Sequence, residues 1–410
     1  MMNDLIWLVG GGLLQLPIAR EIKRRGYKLF VTDSNSQAAC RELADIFNQL
    51  STYDVAAHLD LLSYMRDIPV AVLTDAADVG PTVSALTELL GLPGISYQTA
   101  LNVRDKSTMR DMLGMTYPVY ITISPEMYLC DAWLLWERVA QRNEIRRYPC
   151  VVKATDNCAS RGMTFVRSSD DLAEAIHYAR QNNKYSKNII IEECLSGPEF
   201  AADWLVIDGQ VKFVNGAIRV FDEHKFGLEL GHTNPWQAPD EVLSLVQIIA
   251  EKLDVTSGPF KTDLLFDKQH GWMILETATR WSGGFDHTHT QKLAHGRNLE
   301  KVLLDYALGL PLDESDLIPK WYSYAAAYAP VFDAGQIDGF ANIDNALKSP
   351  SVSDIIVLNS QRIENIQHCA QRPVFIITQG ADADIAWQLA VEAAWKLTPR
   401  YKSYTLSFDT

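Results

Sequence analysis

YPCVVKATDNCASRGMTFV, residues 148–166, is the stretch on which the fold turns. An apolar run carries Lys153, small and polar residues follow over 157–162, and a second run closes at Val166. Two strands joined by a loop is the expected local structure. A lone lysine among buried-type residues pays heavily for desolvation unless it meets an anion. The tip Cys158-Ala159-Ser160-Arg161-Gly162 offers backbone N–H groups, a hydroxyl and a guanidinium, equipment suited to covering phosphates. An ordinary hairpin loop would account for the tip, but not for the lysine in the strand.

Upstream, LIWLVGGG (Leu5 to Gly12) reads as a strand ending in glycines, and the segment after it has helical spacing at Leu13, Leu16, Ala19 and Ile22. YKLFVTD, ending at Asp33, and PVAVLTD (Pro69 to Asp75) read as further buried strands, the βαβ pattern of a parallel sheet. An α/β domain with a parallel sheet is expected over residues 1–110. The glycines invite a dinucleotide-binding reading with Asp33 on a ribose, but Gln15 stands where the third glycine of that fingerprint belongs. A tight strand-to-helix turn is the simpler role for them.

Downstream of residue 146 the texture is of hairpins. EFAADWLVIDGQVKFV (Glu199 to Val214) turns at Asp208-Gly209, and KTDLLFDKQHGWMILE (Lys261 to Glu276) repeats the design with a longer loop. A helix is expected over Ala238 to Leu253. The middle of the chain, 111–310, is thus α+β, and 311–410 reads as a small C-terminal α+β subdomain that closes the structure or serves a dimer. Its RPVFIITQGADADIAWQLAVEAAWKL (Arg372 to Leu397) gives a strand, a turn and an amphipathic helix.

Composition narrows the function classes. At 410 residues, about two to four domains are expected. The 37 basic and 51 acidic residues give a net charge of −14, which argues against non-specific attraction to nucleic acid or anionic membrane. Six cysteines without CxxC spacing indicate neither a zinc site nor a disulfide framework, so reduced thiols in a cytoplasmic protein are expected. No apolar run reaches membrane-spanning length, and Met-Met-Asn-Asp gives no export signature.

Two further stretches hold chemistry. In the Lys261–Glu276 hairpin, Asp263 lies mid-strand and Glu276 at the end of the return strand, so pairing can bring two carboxylates together. Such a pair suits Mg²⁺, which takes one or two protein carboxylates and completes its shell with water and phosphate. A solvated face with a Glu276–Arg280 ion pair is the plain alternative. In NIIIEECLSGPE (Asn188 to Glu199), the strand-edge backbone at Glu193 and Leu195 could read an adenine and Glu199 a ribose, although alone the stretch would pass as structural.

Taken together, these stretches resemble the ATP-grasp superfamily from the N-terminal domain to about residue 310. The resemblance implies that ALNVRDKSTMRDML supplies a phosphate-binding Lys106, with Lys153 as its partner and Ser160, Arg161 and Gly162 covering the phosphates. It implies Glu192 for the adenine amino group, the backbone of Glu193 and Leu195 for the ring edge, and Glu199 for the ribose. Asp263 and Glu276 become the metal acids and Arg280 a phosphate-facing arginine. Within the superfamily, VGGG-x-x-Q, CASRGM and RWSGG resemble the carboxylate–amine ligases related to carbamoyl-phosphate synthetase, including L-amino acid ligases that make dipeptides. That branch has a Glu-x-Gly-His element in its substrate pocket, which ELGH (Glu229 to His232) matches; a core histidine is the bland reading of His232.

The implied reaction joins a small-molecule carboxylate to an amine through an acyl phosphate, with ATP and Mg²⁺ (or Mn²⁺) as cofactors and ADP and phosphate released. Lys153, Ser160, Arg161 and Arg280 would be catalytic, and Ser282, Gly283 and Gly284 would present donors to the carboxylate. A homodimer is the form such proteins commonly take. A phosphotransferase, a carboxyphosphate-forming enzyme and a non-catalytic nucleotide-binding protein are the alternatives. One departure stands out: the family's Glu-x-Asn-x-Arg reads Glu276-Thr277-Ala278-Thr279-Arg280 here. A methyl group coordinates nothing, so a second metal would be weak, completed by water, Thr277 or Thr279, or absent.

Overall fold

Parallel pairing starts at β1 (Leu5–Val9), whose five residues are all buried. The computed structural model describes residues 4–114, 118–358, 361–363 and 368–402; the Met-Met-Asn segment read above for targeting lies outside them. With β2 (Lys28–Asp33), β3 (Ile46–Gln49) and β4 (Ala71–Leu73), β1 forms a parallel sheet in the order β3-β2-β1-β4. Helix Leu16–Arg24, with Pro17 in its first turn where a missing N–H costs nothing, returns the chain between β1 and β2.

A second sheet, all antiparallel, follows: β5 (Tyr120–Ile123), β6 (Cys150–Ala154), β7 (Met163–Val166) and β8 (Ile189–Glu193), in the order β5-β8-β6-β7. The largest sheet begins with β9 (Glu199–Ile207), β10 (Gln210–Phe221), β11 (Glu229–Asn234), β12 (Gly258–Asp267) and β13 (Gly271–Ala278). After these come β14 (Tyr324–Tyr328), β15 (Gly335–Ala341), β16 (Val352–Val357), β17 (Gln361–Ile363), β18 (Val374–Gly380) and β19 (Thr398–Tyr401). The large sheet runs β13-β12-β9-β10-β11-β14-β18-β16, while β17, β15 and β19 make a small sheet of their own. The C-terminal strands β14, β18 and β16 thus extend the middle sheet. The expected fold class, a parallel-sheet α/β region followed by antiparallel α+β layers, is the observed one.

Both expected hairpins form, the first closing at Asp208 (φ 50°) and Gly209 (φ 76°), where left-handed backbone favours glycine. The expected helix runs Asp240–Lys252, and the Arg372–Leu397 stretch gives β18 and helix Ala383–Ala394, capped by Asp382 accepting from the Ile385 N–H.

What positions the site is a shared core. Ile6, Leu8 and Leu29 of the parallel sheet pack in one cluster with Leu205, Trp281 and helix Leu299–Ala307. Trp281 is fully buried, and its indole donates to the Trp204 carbonyl at 2.9 Å, so its neighbours Arg280 and Ser282 are set against a rigid wall. All six cysteines are free, and no helix among the described residues is long and apolar enough to cross a membrane.

Candidate active site

A cavity of about 280 Å³ opens where β6, β7 and the loop between them face β9 to β13. Lys106, Lys153, Ser160, Arg161, Glu192, Glu193, Leu195 and Glu199 line it, and so do Glu229, His232, Asp263, Glu276, Arg280, Ser282, Gly283 and Gly284. Residues far apart in sequence, from Lys106 to Gly284 among these, therefore line one cavity. Gly162, expected to touch the nucleotide, does not line it. Gly162 has φ +71°, and a Cβ there would meet the Asn182 and Ala154 Cβ atoms at 2.6 and 2.8 Å. Its role is the close-packed turn that lets its carbonyl accept from the Ala154 N–H at 2.9 Å.

The two expected lysines line the cavity. Asp105 caps helix Lys106–Leu113 by accepting from the Ser107 and Thr108 N–H groups, both at 3.0 Å, which fixes Lys106 at the first helical position. The Lys106 ammonium donates to the Asn157 carbonyl at 2.7 Å and to Glu276 Oε1 at 2.8 Å. Burial works against its charge, but Glu276 more than offsets this and raises the pKa. Lys153, mid-strand on β6, forms an ion pair with Glu192, whose other oxygen accepts from Arg110 at 2.5 Å. Burial pushes the Glu192 carboxyl up, and Arg110 and Lys153 outweigh it and hold it ionised. The residue expected at the adenine amino group is thus tied between two cations in this structure.

The 157–162 loop is folded over the cavity. Ala159 and Ser160 adopt left-handed backbone (φ 56° and 63°), and the Ser160 hydroxyl donates to the Gly227 carbonyl at 2.7 Å. Cys369 N–H donates to the Ala159 carbonyl at 3.2 Å, which ties the loop to the C-terminal strands. Arg161 donates to Asn157 Oδ1 at 2.9 Å. Burial pushes the Cys158 thiol up to about 12, so it is no nucleophile at neutral pH.

Cross-strand register makes Asp263 and Glu276 direct partners, with a bulge following Asp263. Strand alternation puts Lys261 on the same face of β12 as Asp263, and its ammonium bonds both Asp263 oxygens, at 2.6 and 2.8 Å. Burial pushes the Asp263 carboxyl up, yet Lys261 and Arg219 overcome it and hold the pKa at about 2. No three His, Cys, Asp or Glu residues among the described ones converge as a metal cage. Two carboxylates facing a cationic cavity fit a hard divalent ion that completes its shell with water and phosphate, the Mg²⁺ habit.

The far wall is a charge lattice centred on Arg219. It lies 3.1 Å from Glu199, 3.1 Å from Glu229 and 3.8 Å from Asp263, and so connects three residues expected to have separate roles. Burial raises the Glu199 pKa, only partly offset by Arg219, whereas Arg219 and Arg372 override burial at Glu229 and lower its pKa. His232 is 3% exposed and its Nε2 lies 3.0 Å from the Thr290 hydroxyl.

Arg280 is aimed by the parallel-sheet region: Asp78 accepts from its Nε and Nη2 at 2.8 and 2.7 Å. Ser282 was expected to offer N–H and hydroxyl to a carboxylate, but both donate to Asp203 Oδ1 at 2.8 Å. Its donors are spent on holding the turn, which leaves the backbone at Gly283 and Gly284 as the exposed part of that stretch. Beneath it, His287 pairs with Asp75 at 2.8 Å and with the Ser282 carbonyl at 2.6 Å. Burial opposes the charge on His287, and Asp75 outweighs it and pushes the pKa up to about 10.

Arg219, Lys261, Arg372 and Asp78 also line the cavity and were not singled out from the sequence. Lys261 was legible as the i−2 neighbour of Asp263 on a strand, and Arg219 as the cross-strand partner of Glu199. Asp78 and Arg372 arrive through long-range topology and have no local signal. The N-terminal glycine turn closes on itself instead: Asp33 accepts from the Gly11 and Asn35 N–H groups, both at 2.8 Å, and Gln15 Oε1 from the Gly12 N–H at 2.8 Å. With its oxygens so used, Asp33 does not stand ready for a ribose.

Comparison with known proteins places this fold and cavity among solved and curated relatives. Residues 146–289 match the family described as ATP-grasp domain. That segment therefore reads as an ATP-grasp domain, and the fold around it is shared with solved ligase structures. Over 98% of its length it superposes on an L-amino acid ligase from Bacillus licheniformis, covering 99% of that chain, with a TM-score of 0.78 and 21% identity. It is 22% identical over 253 residues to the L-arginine-specific L-amino acid ligase of Bacillus subtilis, covering 56% of this chain and 59% of that one. It is 27% identical over 191 residues to the formate-dependent phosphoribosylglycinamide formyltransferase of Erythrobacter litoralis, covering 46% and 47%. The matched segments thus span about half to three-fifths of the length of these curated relatives.

Proposed function

We propose that the protein is an ATP-dependent carboxylate–amine ligase acting on amino-acid-like substrates. One observation carries this reading: a register-paired Asp263 and Glu276 share a cavity with Lys106, Lys153 and Arg280. Such a set has little to offer covalent catalysis by the protein and much to offer charge that develops on oxygens. A substrate carboxylate oxygen attacks the γ-phosphorus, the bond to the leaving ADP oxygen breaks, and an acyl phosphate results. The amine nitrogen then attacks the acyl carbon, phosphate leaves and the nitrogen gives up a proton, forming an amide or peptide bond.

In this reading Lys106, Lys153 and Arg280 meet phosphate oxygens, and the 157–162 loop excludes water. The Asp263–Glu276 pair would serve Mg²⁺, with Glu276 as the acid open to the ion, and the metal would supply further neutralisation of the phosphates. The hinge backbone at Glu193 and Leu195, together with Glu192 and Glu199, would seat the nucleoside. Glu229 beside Arg219 and Arg372 gives the substrate wall both signs of charge, which suits a zwitterion; the names of the two L-amino acid ligases support the same class. We take residues 1–110, 111–310 and 311–410 as the working division into pre-ATP-grasp, ATP-grasp and closing regions.

A screen of amino acid pairs for product release tests the proposal. ADP and phosphate should appear only with both a carboxylate and an amine; AMP and pyrophosphate would refute it. Phosphate transfer without any amine would instead favour a phosphotransferase or a carboxyphosphate-forming enzyme.

A further inference from the structure

The acid pair on β12 and β13 is not symmetric. Both oxygens of Asp263 are bonded by the single ammonium of Lys261, at 2.6 and 2.8 Å, and Arg219 stands 3.8 Å from Oδ1. Arg280 faces the same carboxylate across the cavity. Glu276 is different: Lys106 reaches its Oε1 at 2.8 Å, and its Oε2 has no protein partner among the described residues. The side chain of Glu276 is 36% exposed against 10% for Asp263, so Glu276 is open toward the cavity and Asp263 is walled in. Two residues after Glu276 on the same strand face, Ala278 brings a methyl group to the cavity where a ligand oxygen would be useful.

These contacts set the number of divalent ions the acids can serve. A hard divalent ion needs oxygen ligands at close range and is repelled by fixed positive charge. Seated against Asp263, a second ion would have to displace Lys261 and stay beside Arg219 and Arg280, with no oxygen from position 278. Lysine is a compact point charge on a flexible stem, suited to the role of a small cation.

Building on the ligase reading, we propose that the ammonium of Lys261 takes the place of a second divalent ion at Asp263, so that the loaded site holds one such ion, seated on Glu276. Lys261 is then a charge-supplying residue of the acid pair.

The test is a count. The full-length protein, saturated with the non-hydrolysable analogue adenosine 5′-(β,γ-imido)triphosphate, is titrated with Mn²⁺ and bound metal is read by electron paramagnetic resonance. The wild type should bind one Mn²⁺ per chain, with no spin coupling between metals. Lys261→Met should raise the count to two and introduce coupling, and Lys261→Arg, which keeps the charge, should leave it at one. Two ions in the wild type overturn the proposal, as does a count that stays at one in Lys261→Met. Lys261→Gln, neutral and of similar length, replaces the methionine variant if that one does not fold. Analogue affinity measured calorimetrically in the same samples separates the two levels: a wild type that does not bind the analogue removes the ligase reading, and this inference with it.

Discussion

The chain contains two strand ends that run into glycines, and they have opposite fates. After β1, Gly10 to Gln15 turns the chain, the Gly11 and Gly12 N–H groups donate to Asp33 of β2 and to Gln15 Oε1, and the Gln15 amide donates to the Asp75 carbonyl. After β13, Thr279 to Gly284 turns it again, but Asp78 and Asp203 reach in from elsewhere to hold Arg280 and Ser282, and the cavity lies alongside. Both turns are held by groups from elsewhere in the chain, and only the second lies along the cavity. The first turn lies off the cavity and the second lines it, although on paper the first has the more familiar glycine pattern.

The sharpest way to break that contrast is at Arg280. Arg280→Ala should lower kcat for ADP formation by about 10²–10³, the usual cost of one lost charge-stabilising donor. Steady-state kinetics checks this, and the effect should fall on kcat more than on the KM for the amine. A fall confined to KM would move Arg280 from the phosphates to the substrate wall.

Next in size is a pH effect at His287, which joins Asp75 after β4 to the turn after β13. Its folded pKa of about 10 lies above the ordinary 6.5, through Asp75 after the β1–β4 layer and against the opposing burial. A raised pKa means that the folded state holds a proton the unfolded chain releases. The stabilisation is complete below pH 6.5 and is lost as pH rises through about 10, with a limiting slope of about 1.4 kcal/mol per pH unit. Melting temperatures of the wild type should therefore fall across this window more steeply than those of His287→Gln. Parallel curves for the two proteins would show that His287 is neutral when folded.

The smallest effect is expected at Ala278. Ala278→Asn restores an oxygen beside Glu276 and should be tolerated, shifting the Mg²⁺ dependence of turnover to about two- to fivefold lower concentration through better hard-ligand coordination. An unchanged metal titration would mean that position 278 does not face the ion.

Much of this molecule was legible in its residues, for reasons that differ from place to place. Strands β1, β2 and β4 read as continuous apolar runs because they are buried on both faces, whereas the half-exposed β3 gave no such run; the two hairpins read through alternation and the Asp208-Gly209 turn. The acid pair was legible because antiparallel register is a local property of one hairpin. What stayed hidden was whatever depends on distant packing. Asp78 aims Arg280 across 202 positions, and nothing near either residue announces it. Ser282 looked like a donor to substrate because its sequence context does not reveal Asp203, 79 positions upstream, which takes both its hydrogen bonds. Gly162 looked like a phosphate contact because a positive φ serves packing and binding equally well, and only the neighbouring Asn182 and Ala154 decide between them. Lys261 and Arg219 could have been found from strand periodicity and register, had the acids' companions been sought along with the acids.

The most direct measurement compares the two strand-and-glycine regions by nucleotide affinity. A non-hydrolysable ATP analogue is titrated calorimetrically into the wild type, Lys153→Ala and Asp33→Ala, with folding checked by circular dichroism. Loss of a charge-assisted contact in a cavity should weaken binding by at least about tenfold in Lys153→Ala, while Asp33→Ala should lose stability of about 1–3 kcal/mol and keep its affinity. Affinity that survives Lys153→Ala and fails in Asp33→Ala would place the nucleotide on the N-terminal turn and contradict the account.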